Sequence, residues 1–114
     1  MVTRMVLVWF LITLTSSTWA QDGDEVQQGR RVAVLVCNPC HVIARDDQHR
    51  PLLEPAAPSF DSIAQRADLT AASLQAFLKT THSDVGNLRG MPNPGLVDVY
   101  ARQVAAYILS LRRM

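Results

Sequence analysis

Aromatic side chains are scarce in this chain of 114 residues: they make up 6% of it, and both tryptophans, Trp9 and Trp19, lie among the first twenty residues. The chain also has no large surplus of basic residues, because its eleven Lys and Arg residues are nearly balanced by ten Asp and Glu residues. A nucleic-acid partner is therefore not expected. The longest apolar run, residues 5–12, is well short of the roughly 20 residues that cross a bilayer as a helix.

The first twenty residues have the three regions of a secretory signal peptide. Arg4 supplies the positive charge, the apolar character continues through Leu14, and small and polar residues lead to Ala20. We predict cleavage after Ala20, which makes residues 1–20 a signal peptide and residues 21–114 the mature domain. Export predicts a bacterial periplasmic location. The alternative is a leader retained as a membrane anchor.

Three segments of the mature domain have helical patterning, and all six prolines lie outside them. The segments are residues 24–37, residues 70–81 with Thr70 as the N-cap, and residues 97–113. The β-branched run VAVLV in the first segment leaves a strand as an alternative. The predicted apolar faces, in chain order, are Val32, Leu35 and Val36; Leu74, Phe77 and Leu78; and Val104, Tyr107, Ile108 and Leu111.

Two irregular segments, residues 38–60 and residues 82–95, contain all the prolines. A shorter helix is expected between them at residues 61–66. Arg112 and Arg113 follow the last apolar positions, where positive charge suits the negative end of a helix dipole. The sequence thus predicts an all-α fold of three main helices joined by a short helix and long loops.

The motif that carries chemistry is Cys37-Asn38-Pro39-Cys40-His41, a C-x-x-C-H pattern at the end of the first predicted helix. Two thiols one helical turn apart can each add to a vinyl group on one edge of a haem, and the adjacent imidazole is then positioned to bind the iron. We therefore predict one covalent haem c, attached through Cys37 and Cys40. The porphyrin would also supply a large apolar core element to a small domain.

Three other interpretations of the two cysteines remain open. A thioredoxin-like dithiol would lie at a strand-to-helix junction, whereas this motif follows a predicted helix. A zinc site would need four ligands, and a second C-x-x-C or H-x-x-H pair is missing. A structural disulfide is the ordinary expectation for two cysteines in an exported chain.

The candidates for a sixth ligand of the iron are the remaining soft or basic side chains. Outside the leader the methionines are Met91 and the terminal Met114, and Met91 lies fifty residues after His41 in a proline-bracketed loop. A thioether favours reduced iron, so we predict His41 and Met91 as the axial ligands. His82 is the alternative ligand, although it could instead cap the C-terminus of the preceding helix.

Two further positions complete a family pattern. Gly29 lies eight residues before Cys37, and Tyr107 lies in the last predicted helix. Together with the C-x-x-C-H motif and the Met91-Pro92 loop, they resemble the class I c-type cytochromes over essentially all of the mature chain. That family has a glycine at the first of these positions, which lets its first and last helices cross closely, and an aromatic residue packed on it. The resemblance implies a small cytochrome c fold wrapped around one haem.

The resemblance also implies how the haem is held. His41 would bind iron through one ring nitrogen and donate from the other to a proline carbonyl. Pro55 and Pro58 both qualify, and Pro58 is favoured because Phe60 could then cover the haem face. Ala33 stands where an aromatic residue is common, which predicts a looser contact between the terminal helices. The candidates for holding the haem propionates are Arg45, Arg50 and Arg89.

The function expected from these features is one-electron transfer rather than enzyme catalysis. A monomer would dock transiently on redox protein partners through the haem edge near Cys37 and Cys40, without membrane contact unless the leader is retained. Two alternatives are a dedicated electron-accepting haem subunit of a periplasmic dehydrogenase, and a small-ligand sensor or weak peroxidase from which Met91 dissociates.

Overall fold

Four helices form the described part of the chain. The computed structural model describes residues 18–80 and 90–113, and within those ranges no strand occurs. The helices are α1 (Thr18–Val36), α2 (Phe60–Ala64), α3 (Ala71–Leu78) and α4 (Asp98–Ser110). The all-α prediction is confirmed, and the strand alternative for VAVLV is wrong.

The predicted signal peptide falls almost entirely outside the described residues. α1 begins at Thr18, six residues before the predicted start, so the proposed cleavage site after Ala20 lies in its first turn. No helix within residues 18–80 or 90–113 is long and apolar enough to cross a membrane. The leader and its cleavage therefore stay predictions.

α4 is the central element, and it contacts each of the other three helices. Val104, Tyr107 and Ile108 are buried as predicted, and Leu111 packs half-buried against the same core. Val97 precedes the helix without a side-chain hydrogen bond to it. Asp98 adds negative charge in the first turn and forms a 2.7 Å ion pair with Lys79 of the segment after α3. The C-terminal helix thus organises the core.

The predicted apolar face of α1 is right at Val32, which packs partly buried against the core, and wrong at Leu35 and Val36. Leu35 is 81% exposed and Val36 is also exposed, whereas the buried positions are Gly29, Ala33 and Cys37, spaced every four residues. Small side chains face α4 because the two helices approach closely. Ala33, expected to loosen this contact, is fully buried within it. Val34, Leu35 and Val36 are left exposed.

The crossing of α1 and α4 depends on Gly29. A Cβ atom at this position would lie 1.9 Å from the carbonyl oxygen of Gln103 and 2.9 Å from Cβ of Tyr107. No side chain can occupy that space unless a backbone moves. The predicted pairing of Gly29 with Tyr107 is therefore confirmed.

Thr70 is the N-cap of α3, as predicted. The Thr70 hydroxyl accepts from the Ser73 amide at 3.1 Å and the Ser73 hydroxyl accepts from the Thr70 amide at 3.0 Å, which is a capping box. Leu74 and Leu78 are buried, but Phe77 is 40% exposed and does not join their face. The helix ends at Leu78, three residues before the predicted end.

The C-terminal arginines bind to α2 and the segment after it rather than to their own helix. Arg112 donates through Nε to the carbonyl of Ala64 at 3.0 Å, and through Nη2 to the carbonyls of Arg66 and Leu69 at 3.3 and 3.0 Å. The last carbonyls of a helix have no partner within it, so the bond to Ala64 caps the end of α2. The other two bonds hold the segment that leads to α3. Arg113 pairs with Asp61 in the same helix.

Candidate haem-binding site

The C-x-x-C-H motif continues directly from α1. The Cys37 amide donates to the Ala33 carbonyl at 2.8 Å, and the amides of Cys40 and His41 both donate to the Cys37 carbonyl, at 3.1 and 3.0 Å. Cys37 is buried and Cys40 half-buried, and no disulfide joins them. The disulfide interpretation is wrong for this structure.

The His41 ring is buried and held by Pro58. Its Nδ1 lies 2.7 Å from the carbonyl oxygen of Pro58, as favoured from the sequence over Pro55. A carbonyl oxygen has no proton to give, so Nδ1 must be the donor. The neutral imidazole then keeps the lone pair of Nε2 available for a metal ion.

Phe60 packs between two other rings. Its centroid lies 5.4 Å from that of His41 and 6.3 Å from that of Tyr107, with ring planes tilted by 53° and 55°. Both contacts fall in the range of favourable ring pairs. Phe60 therefore backs the imidazole, and its predicted contact with the haem face stays a prediction.

The loop of residues 38–60 folds back on the motif. The amide of Leu52 donates to the Pro39 carbonyl at 2.8 Å, and that of Ala57 donates to the Cys40 carbonyl at 3.0 Å. The Phe60 amide donates to the carbonyl of Val42 at 2.9 Å. No residue pattern predicted these bonds, since they use only backbone atoms.

Tyr107 has a second contact that sequence reasoning missed. Its hydroxyl donates to the carbonyl of Ile43 at 2.7 Å in a buried setting. Burial raises the pKa of Tyr107, so the hydroxyl keeps the proton that it donates. The two residues are 64 positions apart, and a single hydroxyl gives no local signal of such a contact.

Comparison with known proteins agrees with this geometry. The chain is 30% identical over 105 residues to cytochrome c-552 of Bradyrhizobium diazoefficiens, with 92% of both chains covered. The chain belongs to the c-type cytochromes. No family model matches it. No solved structure matches it either.

As a c-type cytochrome, the protein has the residues that a covalent haem c requires. Two unbridged thiols are available at Cys37 and Cys40, and His41 offers Nε2. Within the described ranges no three His, Cys, Asp or Glu side chains come together as a metal site, so the zinc interpretation finds no ligand set there. The donors in these ranges fit haem and do not supply the four ligands of a tetrahedral ion.

The thiol chemistry also argues against a dithiol redox protein. Burial, together with the neighbouring Cys40, raises the pKa of the Cys37 thiol to about 11. Reactive redox cysteines have a lowered pKa, because the thiolate is the nucleophile. The thioredoxin-like interpretation also requires a strand before the motif, and α1 stands there instead.

Of the candidate propionate arginines, Arg45 is engaged elsewhere. Its Nε donates to Asp61 at 2.6 Å and its Nη2 donates to the Leu111 carbonyl at 2.7 Å. Arg50 is exposed in the loop, and Arg89 lies outside the described residues. Arg45 thus joins the loop to α2 and the end of α4.

Met91 is half-buried and packs against the hydrophobic core. His82 and Met114, the other residues considered as ligands, lie outside the described residues. The choice of Met91 as the sixth ligand stays a prediction.

Proposed function

We propose that this c-type cytochrome is an exported one-electron carrier whose haem iron is bound by His41 and Met91. The observation that carries the proposal is the hydrogen bond from His41 Nδ1 to Pro58, which leaves Nε2 free beside two unbridged thiols. The name of the relative, cytochrome c-552, supports the same assignment.

Each residue has a separate role in this proposal. Cys37 and Cys40 form the thioethers, and Pro58 fixes the tautomer and direction of the His41 ring. Met91 supplies a soft thioether that favours the reduced state and raises the reduction potential. When bound, haem c supplies the Fe(II)/Fe(III) couple, so no side chain has to react. A buried, hydrogen-bonded His41 keeps one geometry in both oxidation states.

Docking of redox partners is proposed at an apolar rim, defined here as residues 34–36 and 52–53. These five aliphatic side chains are exposed. Residues 34–36 directly precede Cys37, while the amides of Leu52 and Leu53 both donate to the Pro39 carbonyl inside the motif, at 2.8 and 3.3 Å. No charged residue occurs from Val32 through Cys40. We infer a partner with an apolar surface around its own redox centre, bound transiently and with little dependence on salt.

Export to the periplasm is proposed from the sequence of the leader and from the chemistry of haem attachment. Residues 1–20 have the pattern of a cleavable signal, and covalent haem attachment takes place outside the cytoplasm. A mature N-terminus at Gln21, read by mass spectrometry of the exported protein, is the expected result.

The proposal is tested by visible spectra of the protein produced in a host that attaches haem covalently. We expect a mass increase of one haem that survives denaturation, and a low-spin spectrum that carbon monoxide does not change. Met91→Ala should become high-spin and bind carbon monoxide, whereas the matched variant His82→Ala should keep the wild-type spectrum.

Other outcomes separate the alternatives. The reverse pattern in the two variants would assign the sixth ligand to His82. Carbon monoxide binding by the wild type would favour a sensor or weak peroxidase, and copurification with a dehydrogenase would favour a dedicated subunit. Absence of covalent haem would overturn the whole proposal.

A further inference from the structure

We propose that Tyr107 is a positioning residue for the His41 imidazole, acting through the peptide of Ile43 and the ring of Phe60. The inference rests on the proposed function, because it concerns how the iron-binding ring is oriented. It assigns to the C-terminal helix a role at the ligand as well as in packing.

The first connection is a hydrogen bond. The Tyr107 hydroxyl holds the Ile43 carbonyl at 2.7 Å, and Ile43 is only two residues after His41. Ile43 is itself 2% exposed, so its carbonyl has little access to water as a substitute partner. The chain leaving His41 is therefore fixed on one side by α4.

The second connection is a chain of tilted ring contacts. Phe60 contacts both the imidazole and the Tyr107 ring, at 5.4 and 6.3 Å between centroids. The Phe60 amide also donates to the Val42 carbonyl, between His41 and Ile43, at 2.9 Å. A rotation of the imidazole about its Pro58 hydrogen bond would change its contact with Phe60, and Phe60 is itself in contact with Tyr107.

Tyr107 can act in this way because its own position is fixed. Its Cβ lies in the space that a side chain at Gly29 would need, so the helix crossing leaves it no room to shift towards α1. The side chain is 5% exposed. Tyr107 thus contributes both to the close crossing of α1 and α4 and to the orientation of the imidazole.

The test uses the oxidised holoprotein and the variant Tyr107→Phe, which removes only the hydroxyl. The readouts are the four haem-methyl proton shifts and the electron paramagnetic resonance g values, because both depend on the orientation of the axial imidazole plane. We expect Tyr107→Phe and Phe60→Leu to redistribute the methyl shifts and move the g values. The exposed tyrosine variant Tyr100→Phe should match the wild type.

A second control separates positioning from loss of stability. Val104→Ala opens a cavity on the same helix at a fully buried residue that is not one of the three contacting rings. We expect lower stability with wild-type methyl shifts. Wild-type shifts in Tyr107→Phe would overturn the inference, whatever its stability, and so would equal redistribution in Val104→Ala. Failure of the proposed function is a distinct result, since it appears in the wild type as absent covalent haem.

Discussion

Arg112 and Ala64 join the end of the chain to the end of α2, through a 3.0 Å bond from the guanidinium Nε to the carbonyl oxygen. The same guanidinium reaches two more carbonyls in the segment that leads to α3. α2 begins at Phe60, next to the residues that hold His41. The segment after α4 therefore holds the element that begins with Phe60, the residue in contact with the His41 ring.

Arg112→Lys should lower the free energy of unfolding of the holoprotein by about 1–3 kcal/mol, because a lysine keeps the charge but cannot serve three carbonyls with a planar fork. Denaturant unfolding measures the loss. Arg102→Lys is the matched control, since Arg102 pairs with Glu25 at the surface and its loss should stay below about 1 kcal/mol. Equal effects of the two changes would contradict the role given to Arg112.

Gly29→Ala should destabilise the holoprotein by about 3 kcal/mol or more. Overpacking of a tight interface costs about 1–3 kcal/mol, and here the obstructing atom is a backbone oxygen that cannot rotate away. Gly23→Ala is the control on the same helix, because nothing lies within 4 Å of its added Cβ, and it should keep or raise thermal stability, since alanine is the better helix former. A Gly29→Ala variant as stable as the wild type would show that the helices can separate freely.

Asp61→Asn should flatten the acid side of the stability profile. The hydrogen bond from Arg45, with further help from Arg113, holds the pKa of Asp61 below its ordinary value of 3.8. A carboxyl with a lower pKa in the folded state stabilises the protein above the unfolded value, and this contribution is lost as pH falls through the folded pKa.

The expected result is therefore a variant that is less stable at neutral pH and whose stability falls less steeply below about pH 5. Unfolding curves from pH 7 to pH 3 measure the slope. Arg45→Gln should produce the same flattening. The double variant should lose less stability than the sum of the losses in the two single variants. Parallel acid limbs for wild type and Asp61→Asn would refute the linkage.

Leu35→Asp should slow electron self-exchange between oxidised and reduced copies of the protein. The side chain belongs to the apolar rim, so two copies that meet through this surface would bring two carboxylates together. We expect a several-fold slower rate at low salt, with recovery as salt is added, because screening shortens to about 10 Å at 0.1 M.

Exchange broadening in proton spectra gives the self-exchange rate. Val99→Asp is the control, since Val99 is also exposed but lies on α4. The wild-type rate should vary little with salt. A stronger effect at Val99 than at Leu35 would place the electron-transfer surface away from the rim.

The chemistry of the site was predictable where it depends on local sequence. The C-x-x-C-H motif sets the order of the donors. The family resemblance implied a proline carbonyl as the partner of His41, which left Pro55 and Pro58, and the structure has Pro58. The close crossing of α1 and α4 was also predictable, because the family resemblance implies a glycine at position 29, where a side chain would clash with α4.

Other features could not be obtained from local patterns. Helical periodicity weights large aliphatic residues and therefore assigned Leu35 to the core, whereas close helix packing selects small ones such as Ala33. The contact of Tyr107 with Ile43 joins residues distant in sequence through one hydroxyl. Arg112 bonds to backbone carbonyls, which every sequence has, so its partners had no signature.

The backbone bonds between the loop and the motif also determine where this protein tolerates a change in length. Amides 52, 57 and 60 return to carbonyls 39, 40 and 42, so the returning half of the loop is in fixed register. Residues 46–50 lie outside that register, with a local bond from the His49 amide to Asp47. Insertions there would lengthen the outward tip without moving the C-x-x-C-H motif, at a cost of about 0.6 kcal/mol for each doubling of the loop.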